Sequence, residues 1–265
     1  MNNKMKKYFY NLFMLLLMIK VLSCSSIYAQ VKRPLTDSDR ASLEGIIVEE
    51  YYVFDSNDKM DTVGGSLPKG SITYRIYVDM KPNYTLQAIY GVPDHPLYIK
   101  TSTQFFNNTN QGQGTGDFIN DKKIIGNTAA VDSWLTIGAA TKSHFGILKT
   151  DDKDGSILKI KSFDKADGLV AGKIKPVTYF GIIPNFFNTY NTSNTFSTDN
   201  GSWAIFGGIK GPTEDNRVLI AQLTTDGKLS FELNIQIGTP TGGNVNFVAK
   251  NPQDKEIKFD QLTKQ

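Results

Sequence analysis

The densest run of oxygen-bearing side chains lies at residues 55–65, where the sequence reads DSNDKMDTVGG. Calcium prefers six to eight oxygen ligands on a flexible loop, and carboxylates, amides and backbone carbonyls supply them. We therefore predict a calcium site whose ligands are Asp55, Asn57, Asp58 and Asp61. The spacing is not that of an EF-hand, and the alternative interpretation is a solvated acidic turn between two strands.

Three aromatic residues lie in an Asn- and Thr-rich stretch, namely Phe186, Phe187 and Tyr190. Exposed rings beside amides are typical of sugar-binding surfaces, because the ring face covers the C–H side of a sugar and the amides bond its hydroxyls. We predict that these three side chains contact a glycan or a partner protein. The alternative is that the rings pack this loop onto the core.

Few residues are suited to nucleophilic or acid–base catalysis. Cys24 is the only cysteine, and neither of the two histidines, His95 and His144, has a partner in a recognisable motif. One cysteine cannot form a disulfide within the chain, and Cys/His zinc sites are excluded. We predict that the protein is not an enzyme. A glycosidase stays open as the alternative, since its two carboxylates are brought together by the fold and not by sequence spacing.

The first 29 residues resemble an export signal. Three lysines between residues 4 and 7 precede an apolar run at residues 8–19, and Ala29 is an acceptable cleavage position. Residues 21–24, VLSC, resemble a lipobox in which Cys24 would be lipidated and the signal would end at residue 23. The sequence leaves both processing routes open. We predict a tether at residues 30–42 and a domain at residues 43–265, with membrane contact only through a lipid on Cys24.

The charge balance excludes a basic nucleic-acid binder. Four of the 29 basic residues lie in the first 20 positions, where there is no acid, and the other 25 face 26 acids. The net charge of +3 therefore belongs to the export signal and not to the folded domain. We expect no nucleic-acid partner.

The hydrophobic pattern is that of β-strands. Polar and apolar residues alternate at residues 73–80 and again at residues 228–237. Alternation of this kind predicts strands with one buried and one solvated face. Many short strands separated by Gly, Pro, Asn and Asp favour an all-β fold, and we predict one large antiparallel β-sandwich, jelly-roll-like, after the signal peptide.

Asp226-Gly227 separates two of the alternating runs and is a strong hairpin signal. A two-residue type I′ turn there pairs Thr225 with Lys228 and places Ile220 opposite Leu233. The longest irregular stretches, residues 107–122 and 184–200, are predicted to be loops, and the Gly-rich part of the first is predicted to be flexible.

Several short sequence segments resemble those of a known but poorly characterised family. They are TYRIYVD at residues 73–79, DSWLTIG at 132–138, GSW at 201–203 and VLIAQLTTDG at 218–227. Together they resemble an uncharacterised extracellular β-rich domain of secreted and surface proteins of Bacteroidota. The resemblance covers about residues 43–262 and implies no catalytic residue. Many members continue into a C-terminal sorting domain, which is not seen before Gln265, and this favours a lipid anchor or a role in an envelope assembly.

Asp61-Thr62-Val63 is similar to the Asp-Thr-aliphatic motif that Bacteroidota use for O-glycosylation. The resemblance therefore implies glycosylation of Thr62. An ordinary loop threonine is the alternative.

These observations predict an exported, non-enzymatic binding module of the envelope or cell surface. We expect an accessory subunit of an outer-membrane complex or a surface lipoprotein, and periplasmic or extracellular locations are the alternatives. Its partner would be an outer-membrane or surface protein or a glycan, and its only expected cofactor is calcium. The alternative function is a secreted glycan-binding or glycan-active protein, that is, a carbohydrate-binding module or a glycosidase.

Overall fold

Short strands dominate the computed structural model, which describes residues 34–55, 61–153, 155, 166–187 and 194–265. The strands are β1 (Leu43–Val53), β2 (Ile72–Met80), β3 (Thr85–Gly91), β4 (Leu97–Thr101), β5 (Trp134–Leu135), β6 (His144–Gly146), β7 (Leu169–Ala171), β8 (Thr178–Phe180), β9 (Thr195–Thr198), β10 (Gly201–Ile209), β11 (Arg217–Thr225), β12 (Leu229–Glu232), β13 (Asn234–Gly238), β14 (Asn244–Val248), β15 (Glu256–Lys258) and β16 (Thr263–Lys264). Two single-turn α-helices, α1 (Asp37–Arg40) and α2 (Asp121–Ile124), and several 3₁₀ turns accompany them.

The strands form four sheets. The central sheet has the order β1-β2-β11-β5, the six-stranded sheet β15-β14-β13-β3-β10-β8, the small sheet β16-β12-β4-β9, and β6 pairs with β7. Neighbouring strands are antiparallel except for the parallel pair β14–β15. The predicted all-β, antiparallel, sandwich-like fold is therefore confirmed.

The main core is built from residues of the central sheet, the six-stranded sheet and the small sheet. Ile76 and Val78 of β2 contribute from one side, and Leu86 of β3 and Phe231 of β12 contribute from the others. The indole N–H of Trp203 donates to the carbonyl of Thr136 at 2.9 Å, so the one polar atom of this buried ring is bonded. The alternation at residues 228–237 does place its apolar members in this core.

The compact unit begins at Leu35. Asp39 of α1 is buried, and one of its carboxylate oxygens accepts a hydrogen bond from the Tyr84 hydroxyl at 3.1 Å. Residues 35–42 are therefore packed against the strands, in contrast to the free tether predicted for residues 30–42.

The second face of the central sheet is buried, which corrects the prediction of a solvated face. Thr73, Arg75 and Tyr77 of β2 are each at most 2% exposed. A second core cluster lies over them, with Ile119, Ile124 and residues 129–131 as contributors. The sequence pattern was misleading here because a polar strand face that is satisfied by hydrogen bonds looks the same as a solvated one.

The predicted hairpin at Asp226-Gly227 is wrong. β11 pairs with β2 and β5 in the central sheet, whereas β12 pairs with β4 and β16 in the small sheet. Neither turn residue has the positive φ that a type I′ turn requires. A Cβ on Gly227 would lie 2.4 Å from the Thr103 hydroxyl, so this glycine allows the chain to cross from one sheet to another beside residues 101–103.

The predicted flexible loop at residues 107–117 is a packed layer. The buried Asp132 carboxylate accepts hydrogen bonds from the backbone N–H of Asn108 at 2.7 Å and of Gln113 at 2.8 Å. Burial raises the pKa of Asp132 well above its usual value despite these bonds. A Cβ on Gly112 would lie 2.3 Å from a backbone carbonyl, so the glycine here serves close packing.

Candidate functional site

The six-stranded sheet turns one face to the main core and the other to solvent in the described part of the chain. Trp203 and Ile205 of β10 point inward, and because side chains alternate along a strand, Ala204 and Phe206 point outward. Ten residues on the outer side of five strands define what we call the uncharged face: Gln87, Ala88, Tyr90, Thr178, Phe180, Ser202, Ala204, Phe206, Gln236 and Asn246. Gln87 lies at the register shift between β3 and β13, next to Ala88.

This face carries no charge across most of its width. Strands β3, β8, β10, β13 and β14 contain no Asp, Glu, Lys or Arg, although 21% of the chain is charged. A solvated face of an antiparallel sheet normally carries charged residues, which keep it soluble and unpaired. Charge appears only on β15, where Glu256 and Lys258 lie.

A continuous row of residues crosses the face. The register places Thr178, Ala204, Ala88, Gln236 and Asn246 side by side on successive strands. At the usual strand spacing this row is about 19 Å long. Its middle is lined by two alanines, and at its far end the side-chain amide of Gln236 donates to Oδ1 of Asn246 at 3.1 Å.

Two phenylalanines mark the β8 end of the face. Phe206 is 80% exposed and Phe180 is 48% exposed, and their ring centroids are 6.2 Å apart with the planes at 88°. Ile183, three residues after Phe180, is also exposed. Gly207 and Gly208 follow Phe206 with positive φ and interrupt the pairing with β3, and such bulges re-aim side chains.

The opposite end of the face contains a hydrogen-bonded pair formed by the buried His95 and the partly buried Glu256. His95 Nε2 lies 2.8 Å from a carboxylate oxygen of Glu256, which also accepts from the backbone N–H of Gln253. The nearby Tyr90 hydroxyl is buried and has no hydrogen-bond partner among the described residues. Burial, with a smaller effect of the Glu256 charge, raises the pKa of Tyr90. The pair fixes the turn before β4 and β15 in place.

A second polar cluster joins α2 to β6. His144 Nδ1 lies 2.6 Å from Oδ1 of Asp121, and the hydroxyls of Thr141 and Ser143 donate to the same carboxylate at 2.5 and 2.8 Å. Burial acts to raise the pKa of Asp121, but the hydrogen bonds from these three residues outweigh it and hold that pKa below its usual value.

This cluster does not have the geometry of a catalytic triad. In a triad the carboxylate bonds one ring nitrogen of the histidine and the nucleophile bonds the other. Here the Ser143 hydroxyl and Asp121 both approach Nδ1 of His144, at 3.2 and 2.6 Å. The arrangement therefore orients the imidazole and anchors α2, and it activates neither hydroxyl.

The predicted calcium ligands are only partly within the described residues. Asn57 and Asp58 lie outside them, and Asp61 is exposed with Oδ1 accepting from the backbone N–H of Val63 at 2.9 Å. Within the described ranges no group of three His, Cys, Asp or Glu side chains could hold a metal ion. The calcium site, with Asp55 as its fourth ligand, stays a prediction.

Of the two predicted modification sites, Thr62 lies within the described residues and Cys24 does not. Thr62 is exposed in a turn in which its carbonyl accepts from Gly65 N–H at 2.9 Å. A sugar could reach its hydroxyl, and its glycosylation stays a prediction. Cys24 lies outside the described residues, so its lipidation stays one too.

The aromatic residues of the 184–200 stretch pack inward where they are described. Phe187 is 1% exposed and belongs to the main core, and Phe186 is half-buried against it. Their ring centroids are 4.9 Å apart, edge to face, and Phe186 also meets Phe196 at 5.1 Å. The alternative interpretation therefore applies to Phe186 and Phe187, since burial leaves Phe187 no ring face for a ligand. Tyr190 lies outside the described residues.

Sequence reasoning missed the uncharged face, although a signal for it was present. The strand sequences of β3, β10, β13 and β14 contain no charge, which is unusual for strands that alternate between core and solvent. The contact between Asp121 and His144 had no such signal, because the two residues are 23 positions apart and meet only through the packing of α2 on β6.

Comparison of the chain with known proteins matches no family model, no curated protein and no solved structure. Among the described residues, none of the helices has the length and hydrophobicity needed to cross a bilayer.

Proposed function

We propose that the chain is a non-enzymatic binding module of the bacterial envelope or cell surface, which presents the uncharged face to its partner. The observation that carries this proposal is the exposure of Phe206 beside Phe180 on that face. Regular strands hold both rings, so the surface is rigid before it meets a partner. Rigid presentation reduces the entropy lost on binding.

Energetics support a binding role for these rings. Moving a phenylalanine side chain from water to an apolar environment is favourable by about 1.5–3 kcal/mol. The folded chain does not gain this free energy at Phe206, which is 80% exposed. Contiguous exposed apolar groups rimmed by polar residues are typical of interaction sites.

The export signal supports the envelope as the place of action. Lipidation of Cys24 would hold the module at a membrane surface, as expected for a surface lipoprotein or an accessory subunit of an outer-membrane complex. The intact mass of the mature protein tests this step. Acyl chains on Cys24 support an anchor, and a chain that begins at Gln30 contradicts it.

The binding role is tested by co-sedimentation of the purified mature chain with envelopes of the producing bacterium. We expect binding to be lost in the double variant Phe180→Ser/Phe206→Ser. The matched control is Phe118→Ser, which removes a ring that is 57% exposed in a 3₁₀ turn outside this face. Binding that is unchanged in the double variant, or weakened equally in the control, would contradict the proposal. Hydrolytic turnover by the purified chain would contradict its non-enzymatic nature.

A further inference from the structure

We infer that the partner of the uncharged face is a neutral glycan bound along the row that crosses the sheet. This inference rests on the proposed function and names the chemical class of the partner. Three features of the face carry it, namely its lack of charge, its paired side-chain amides and its exposed rings beside small residues.

The lack of charge selects against ionic partners. Five adjacent strands contain no Asp, Glu, Lys or Arg. Glu256 of β15 is in register with Asn246 at the edge of the row, and its carboxylate is already bonded by His95 and by the backbone N–H of Gln253. Removing an ionised group from water without a partner is costly, whereas a hydroxyl needs only hydrogen bonds in exchange. A neutral polyhydroxyl chain is the ligand for which this face imposes the smallest penalty.

The amides match sugar hydroxyls. Each amide both donates and accepts, as each hydroxyl does, so a pair of them can bond neighbouring hydroxyls of one sugar. The bond from Gln236 to Asn246 fixes the orientation of both groups and uses neither the Gln236 carbonyl nor the Asn246 amino group. These two groups remain on the outer side of the sheet for a ligand.

The rings and the alanines match the apolar side of a sugar. An aromatic face is electron-rich, so it attracts the C–H groups of a pyranose. Phe206 and Phe180 lie at one end of the row, and the small side chains of Ala204 and Ala88 leave space above its middle for a ligand. An extended chain can therefore lie on the row, with a sugar ring against the phenylalanines and hydroxyls toward the amides.

A protein partner fits this face less well. The centre of a protein–protein interface is mostly apolar and closely packed. Here the exposed apolar groups are confined to one end of the row, and amides occupy the other end. A protein surface would have to supply a matching hydrogen-bond partner for each buried amide group.

The inference is tested by affinity electrophoresis in native gels that contain hydroxyethyl cellulose, galactomannan, dextran or, as the acidic counterpart, polygalacturonate. We expect a neutral polysaccharide to retard the wild-type chain, with about tenfold weaker retention for Gln236→Ala and for Phe206→Ser, a factor that corresponds to one lost hydrogen bond or ring contact. The matched amide control is Gln111→Ala, since Gln111 Nε2 donates to Asn110 in a pair outside this face at 3.2 Å. The ring control is again Phe118→Ser.

Each remaining outcome overturns the inference. The inference is wrong if no neutral polysaccharide retards the wild-type chain, or if polygalacturonate retards it more strongly than the neutral polysaccharides do. It is also wrong if the control variants lose as much retention as Gln236→Ala and Phe206→Ser. Unchanged melting midpoints establish that the variants fold.

Periodate or proteinase treatment of the envelopes in the co-sedimentation assay separates this inference from the proposed function. Binding that depends on Phe206 but is destroyed by proteinase and not by periodate identifies a protein partner, which refutes the glycan and retains the binding module.

Discussion

Replacement of Arg75 by alanine tests whether the polar layer on the second face of the central sheet stabilises the fold. Arg75 is 2% exposed, its Nε donates to Gln222 Oε1 at 3.0 Å, and its Nη1 donates to the carbonyl of Gly168 at 2.9 Å. The guanidinium carbon lies 3.5 Å from the ring centroid of Tyr51. One side chain thus connects β2, β11, β1 and the segment before β7.

The expected loss of stability follows from these contacts. Removing Arg75 leaves the buried Oε1 of Gln222 without a donor, at about 1–3 kcal/mol, and removes a buried cation–π contact of about 2 kcal/mol. The Gly168 carbonyl loses one of two donors and keeps the backbone N–H of Ile147 at 2.9 Å. Relief from burying a charge offsets part of this cost. We expect Arg75→Ala to lower the free energy of unfolding by about 3 kcal/mol. Arg75→Lys keeps the charge but not the planar fork and should lose less.

Urea unfolding followed by tryptophan fluorescence measures this loss, because Trp134 and Trp203 are both buried. The matched control is Arg217→Ala on β11. Arg217 contacts Asp79, Asp151 and Asp215, but its side chain is 26% exposed. Exposed ion pairs contribute about 0.2–1 kcal/mol, and these three carboxylates share one guanidinium, so we expect Arg217→Ala to cost about 1 kcal/mol in total. If Arg75→Ala destabilises the protein no more than Arg217→Ala does, the reasoning about the buried layer is refuted.

Three further predictions concern other polar groups. Tyr90→Phe should not lower stability, whereas Tyr77→Phe loses a bond to a backbone carbonyl at 2.8 Å and should cost about 1 kcal/mol; equal losses in denaturant titrations would contradict this. Asp121→Asn should lower the melting midpoint by a few degrees at neutral pH. Because the folded-state pKa of Asp121 is lowered, its contribution is present above the unfolded value of about 3.9 and lost as pH falls through the folded value, so the two melting curves should converge in acid. Calcium should raise the melting midpoint relative to a chelator, and less so in Asp61→Asn; no shift for the wild type would remove the predicted site.

Local alternation in the sequence was sufficient to predict the strand at residues 73–80, which corresponds to β2. Alternation with a period of two is a local property of an extended chain, so it is visible without knowledge of the neighbours.

Pairing and layering could not be predicted in the same way. The alternation at residues 228–237 belongs to two strands in different sheets, because the pairing partners change at Leu233, whose N–H donates to the carbonyl of Leu262. The Asp226-Gly227 turn likewise joins two sheets and not two strands of one hairpin. Both depend on contacts between residues far apart in the sequence, which a local turn preference does not contain.

By itself, the sequence determined the all-β class, the apolar faces of the long strands and the absence of charge from strands β3, β8, β10, β13 and β14, since each is a property of residues within one segment. Only the tertiary structure decided that the polar side of β2 is buried around Arg75 and that the rings of Phe180 and Phe206 remain in solvent. A strand has two faces, and which of them meets another layer depends on how distant parts of the chain stack against it.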